Sequence, residues 1–98
     1  MRYVSTRGRA PVLGFAEVTL TGLASDGGLY VPESWPRFDA KGIWGMRGLP
    51  YPDLAARVMQ PFVGDSLSLT ELTALAQAAY ARFAHAAVTP LVQLDARH

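Results

Sequence analysis

Apolar positions recur at spacings of three and four in three stretches of the chain, and each predicts an amphipathic helix. The first runs from Phe15 through Val18, Thr19 and Gly22 to Leu23, predicting a short helix over 15–23 that Gly22 weakens and helps to stop. In the second, Pro52 suits a first turn, and Leu54, Ala55, Val58, Met59 and Phe62 then form one stripe, predicting a helix over 52–63. Pro61 removes one backbone bond there, so a kink or an end near Gln60 is expected. The third is announced by Ser68-Leu69-Thr70-Glu71, which has the form of a capping box. Leu69, Leu72, Leu75, Ala76, Ala79, Tyr80 and Phe83 follow at helical spacing, predicting a helix over 69–84.

Between these stretches the pattern shortens. Arg2-Tyr3-Val4-Ser5 reads as a strand, and Thr6 to Pro11 as a loop. Ser25-Asp26-Gly27-Gly28 is a tight-turn signal, since Asp bonds its own backbone and glycine accepts positive φ. Leu29-Tyr30-Val31 is a brief extended run closed by Pro32. Residues 33–50 have no clean period and read as a long irregular loop pinned by Trp35, Phe38, Ile43 and Trp44, with a short helical turn after Asp39. Val88 to Leu94 alternates enough to predict a strand, which Pro90 restricts to an edge or to a strand start. Strand, helix, strand, helix, helix, strand make a small α+β unit.

Composition bounds what this unit does. Half of the 98 residues are apolar and 17% are charged, a globular balance. No apolar run approaches the ~18–20 residues of a membrane span, and the first residues lack the apolar core of a signal peptide, so a cytoplasmic protein is expected. The net charge is +1 and the basic residues are scattered, which gives no footprint for nucleic acid. The absence of cysteine excludes disulfides, thiolate catalysis and cysteine-based metal sites.

Candidate chemistry is sparse. His85 and His98 have no carboxylate at metal-ligand spacing, and no catalytic or metal-binding residue is assigned. None of the five serines lies in Gly-x-Ser-x-Gly. Gly27-Gly28 leads into an extended run rather than a helix, which suits a hairpin-type turn and not a phosphate loop. Tyr30, Trp35, Trp44 and Tyr51 lack the interleaved basic residues of a base-stacking platform. Arg7 is the exception worth weighing, because an arginine in a loop between strand and helix suits bidentate binding of an anion, although surface arginines are common.

The order of motifs says more. Met1-Arg2-Tyr3-Val4-Ser5-Thr6-Arg7-Gly8, then Gly22-Leu23-Ala24-Ser25-Asp26-Gly27-Gly28-Leu29-Tyr30-Val31-Pro32, resembles the N-terminal domain of threonine synthases. Tyr51 with Leu54-Ala55, Pro61-Phe62-Val63-Gly64, Ala79 to Phe83 and Val88 to Val92 extend the resemblance over nearly the whole chain, with 33–50 the least specific part. The resemblance implies a fold-type II pyridoxal-phosphate enzyme that converts O-phosphohomoserine and water to L-threonine and phosphate. The cofactor would be held by a lysine and serve as an electron sink.

In that family the lysine lies downstream of the Pro-Leu-Val run, in a His-Gly-Pro-Thr-like segment. Lys41, the single lysine here, matches no such context. The resemblance therefore implies that 1–98 is an N-terminal domain without the catalytic region, inactive and cofactor-free by itself, with the catalytic domains of the same polypeptide as its partner. Ser5, Thr6, Arg7, Gly8, Asp26, Gly27, Gly28, Tyr30 and Pro32 are the family-motif positions, expected to be structural or to face those domains. Two alternatives stand beside this reading: a synthase-like phospholyase, and a free-standing protein-interaction module. Isolated, the chain is expected to self-associate through an unpaired Val88–Leu94 edge.

Overall fold

A computed structural model describes residues 1–98. Three short strands form an antiparallel sheet in the order β2-β1-β3: β1 is Arg2–Ser5, β2 Leu13–Gly14 and β3 Tyr30–Pro32. Tyr3 pairs with Leu13 on one side and with Pro32 on the other. β3 is an edge strand, and that is why Pro32 is tolerated in it without an N–H. β2 has no counterpart in the sequence reading. Two residues carry no alternation, and Leu13-Gly14 pairs only because the loop after β1 doubles back.

The helices are α1 (Phe15–Thr21), α2 (Ala40–Gly45), α3 (Tyr51–Val63) and α4 (Leu69–Tyr80), with a 3₁₀ turn at Gly64–Ser66. α1 stops two residues before the expected 23, because Gly22 caps it at φ 73°, a backbone open to glycine. α2 is the turn expected after Asp39, whose carboxylate accepts from the Gly42 N–H at 2.6 Å. α3 ends at Val63 as expected and does not stop near Gln60: Pro61 forgoes its own bond, yet the helix continues to Val63, where the Gly64 N–H closes onto the Gln60 carbonyl. The capping box forms as expected, with Glu71 Oε2 accepting from the Ser68 N–H at 2.8 Å and Ser68 Oγ from the Glu71 N–H at 3.2 Å.

α4 ends at Tyr80 rather than 84. α3 and α4 pack against each other, and the first residue of α3, Tyr51, meets the last of α4, Tyr80, edge to face at 4.8 Å. Beyond that point α4 has no partner helix, and propensity alone sustains few turns. The expected strand at 88–94 is absent as well. Residues 91–98 are all exposed, Val88 sits at φ 58°, and no strand of the sheet pairs with this segment.

The core is small. Ala56, Val63 and Leu72 form its buried centre, flanked by Phe15, Met59 and Leu67. The Tyr3 hydroxyl joins the sheet to this core by donating to the Phe62 carbonyl at 2.8 Å. Only eight of the 98 residues are buried, and the radius of gyration is 16.4 Å. A compact domain of this length would have ~13 Å. Accordingly the expected loop anchors are not inside: Trp35 is 68% exposed and Trp44 66%, with Ile43 and Phe38 also exposed. Trp35 touches Phe62 by its edge at 6.3 Å, and Arg47 lies over Trp44 at 5.2 Å.

Candidate functional site

The family-motif positions, far apart in sequence, fold into one knot of two turns. β1 delivers Ser5 at its end, and Thr6-Arg7-Gly8 turn back, with the Gly8 N–H bonded to the Ser5 carbonyl and Gly8 at φ 70°. The second turn, Ser25–Gly27, is closed by Gly27 N–H to the Ala24 carbonyl and flanked by a Leu23–Leu29 bridge. Thr6 and Leu29 stitch the turns together twice: the Thr6 N–H donates to the Leu29 carbonyl at 2.8 Å, and the Leu29 N–H donates to Thr6 Oγ1 at 3.0 Å.

Asp26 is the centre. Its Oδ1 accepts from Ser5 Oγ at 2.8 Å and the Gly28 N–H at 2.9 Å. Its Oδ2 accepts from the Arg9 N–H at 2.9 Å and the Ala10 N–H at 3.0 Å. Partial burial pushes the carboxyl up, but the bonds from Ser5, Gly28, Arg9 and Ala10 outweigh it and hold its pKa at about 2, against an ordinary 3.8. The sequence points to the Asp-Gly-Gly turn. It does not point to Arg9 and Ala10, whose contribution is backbone N–H and therefore carries no residue signature.

Gly28 is required by contact and Gly27 by its backbone. A Cβ on Gly28 would strike Ser5 Oγ and lie 3.0 Å from Asp26 Oδ1 and from Thr6 Oγ1. Gly27 has φ 77°, and a Cβ there would stand 2.9 Å from Arg7 Nη1. That nitrogen instead donates to the Asp26 carbonyl at 3.0 Å. Tyr30 leaves the knot along β3 and donates its hydroxyl to the Pro11 carbonyl at 3.0 Å, and Pro32 pairs opposite Tyr3. All nine motif positions therefore lie in the β1–β3 end of the molecule. His85 and His98 lie outside it: His85 Nδ1 accepts from the Ala87 N–H, and His98 Nδ1 faces Asp95 at 2.9 Å. The structure contains no group of three or more His, Cys, Asp or Glu side chains suited to a metal ion. No helix is long and apolar enough to cross a membrane.

A three-stranded antiparallel sheet backed by a helical pair, with an Asp-Gly-Gly turn locked into a Ser-Thr-Arg-Gly turn, defines a small α+β domain class. The chain belongs to the threonine synthase N-terminus family, whose model, described as "Threonine synthase N terminus", matches residues 2–80. It is 55% identical over 95 residues to a threonine synthase of Pseudomonas aeruginosa, covering 97% of this chain and 20% of that protein. It is 39% identical over 95 residues to "Threonine synthase-like 2" of Homo sapiens, covering 96% and 20%. A crystal structure of PLP-bound threonine synthase from Brucella melitensis superposes with a TM-score of 0.90 at 49% identity, covering 98% of this chain and 21% of that one. The chain thus spans about a fifth of the length of the relatives it matches.

Residues 1–98 do not themselves fit pyridoxal phosphate. Lys41 is exposed on the first turn of α2. Two hollows of about 370 Å³ each are present, one between α2, α3 and the start of α4, lined by Phe38, Met46, Arg57, Gln60 and Leu69 among others, and one along α4 from Leu69 to Gln77; neither is lined by a lysine.

Proposed function

We propose that these residues are the N-terminal domain of a cytoplasmic, pyridoxal-phosphate-dependent threonine synthase, a lyase that converts O-phosphohomoserine and water to L-threonine and phosphate. The observation that carries this reading is the 55% identity to the Pseudomonas aeruginosa threonine synthase across nearly the whole chain. The cofactor supplies the electron sink, and the residues that would hold it belong to the remainder of the polypeptide. The domain itself is structural: it takes no part in bond breaking, and it supports and covers the catalytic domains. Its thin core and its exposed Leu20, Leu23, Leu29, Trp35 and Trp44 suit a unit whose apolar surface is completed by those domains. The motif positions from Ser5 to Pro32 serve as the frame of that interface.

The test is the full-length polypeptide incubated with O-phosphohomoserine. Threonine and phosphate in equal amounts are expected. Residues 1–98 alone should give neither threonine nor cofactor absorbance that survives dialysis, and retention of the cofactor by the short chain would sink the structural role. A second reading, a synthase-like phospholyase, is favoured by the 39% identity to "Threonine synthase-like 2". Phosphate release without threonine would select it.

A further inference from the structure

Arg7 is a held cation without an acidic partner. The ion pairs of the chain are Arg2 with Glu33 and His98 with Asp95. Asp26 offers Arg7 its carbonyl oxygen at 3.0 Å, while its carboxylate is filled by Ser5, Gly28, Arg9 and Ala10. One guanidinium nitrogen is thereby fixed, and the remaining N–H donors have no acceptor in the chain. The glycine at 27 keeps the space the guanidinium occupies. A second donor stands alongside: Thr6 Oγ1 accepts from the Leu29 N–H, which leaves its own hydrogen free, and it lies against Gly28 as Arg7 lies against Gly27. Thr6 and Arg7 are both exposed, and a hydroxyl beside a guanidinium held at one nitrogen supplies the donor types that an oxyanion takes.

The same hairpin carries Leu23 at 65% exposure and Leu29 at 59%, bridged to each other at the base of the turn. The chain is a fifth of its relatives' length, and in the proposed function the rest of the polypeptide covers this edge. A guanidinium carried into a covered, poorly hydrated edge needs an anion.

We infer that Arg7, with the Thr6 hydroxyl, binds the phosphate group of the phosphorylated substrate where this domain meets the catalytic domains. This rests on the proposed synthase function. In that reading phosphate is both a substrate group and a product, so inorganic phosphate is a probe for the same contact.

The experiment uses the full-length enzyme and Arg7→Gln, Arg7→Lys and Thr6→Val, with wild type assayed first. An inactive wild type overturns the functional reading and leaves the phosphate site to be read by calorimetric titration of inorganic phosphate alone. With an active wild type, Arg7→Gln is expected to raise KM for O-phosphohomoserine by ~10-fold or more. Phosphate binding by calorimetry should weaken in step, with the melting temperature unchanged. Arg7→Lys should restore part of the affinity, since it keeps the charge and loses the fork. Thr6→Val should give a smaller loss of the same kind. Unchanged KM and unchanged phosphate binding overturn the inference. So does a lowered melting temperature with unchanged phosphate binding, which would assign Arg7 to a carboxylate of the adjoining domain.

Discussion

Around Ala56 and Leu72 two helices meet through small and apolar side chains; around Asp26 two turns meet through hydrogen bonds, and only Ser5, Ala24 and Gly28 of that knot are buried. The first region depends on volume and tolerates no void. The second depends on the absence of volume, at Gly27 and Gly28, and on one carboxylate with four donors. Damage to the helical pair should therefore spread through the domain, whereas damage to the knot should stay at the β1–β3 end. Tyr3 is the link between them, through its bond to the Phe62 carbonyl.

The largest effect expected is from Leu72→Ala. It opens a void against Ala56 and Val63 and should cost about 3 kcal/mol. Amide hydrogen exchange in the full-length protein should show α3 and α4 losing protection together, while Thr6 and Leu29 lose less. Equal loss everywhere would merge the two regions into one cooperative unit. Next comes Gly28→Ala, whose methyl would strike Ser5 Oγ and crowd Thr6. About 2 kcal/mol is expected, since backbone and short side chains give way poorly. Here the exchange pattern should invert, with the Leu29 and Gly28 amides exposed and α4 unchanged.

The two regions were unequally legible in the sequence. α3, α4 and the capping box follow from periodicity and from Ser68-x-x-Glu71, because those signals are local. The Asp26 turn was legible as a turn, and its family motif marks Ser5 and Gly28, but the lock from Ser5 to Asp26 spans 21 residues and uses the N–H groups of Arg9 and Ala10. The errors share a cause. Helix to 84, strand at 88–94 and buried Trp35 and Trp44 each assume a packing partner for an apolar side chain, and within these residues that partner is missing. An amphipathic pattern reports that a face is to be covered, not by what. With the strand at 88–94 gone, the self-association expected of its edge loses its structural basis.

The smallest effect is confined to acid, and it separates the regions by chemistry rather than by volume. Asp26 has a pKa of about 2 in the folded chain and an ordinary 3.8 otherwise, so the unfolded chain takes up its proton first as pH falls. The carboxylate's contribution is thus complete above about 3.8 and is lost as pH drops toward about 2. Exchange at Gly28, Arg9 and Ala10 should accelerate relative to α3 across that interval and be flat above it. Asp26→Asn should abolish the step, because its amide cannot accept from every donor now facing the carboxylate and no longer titrates there. Two other groups could move in this range: Glu71, held below its ordinary value by Ser68, would act on the start of α4, and Asp95, held below its ordinary value by His98, would act on the last residues of the chain. A step that survives Asp26→Asn and appears first at Leu72 would transfer the acid sensitivity to the helical pair.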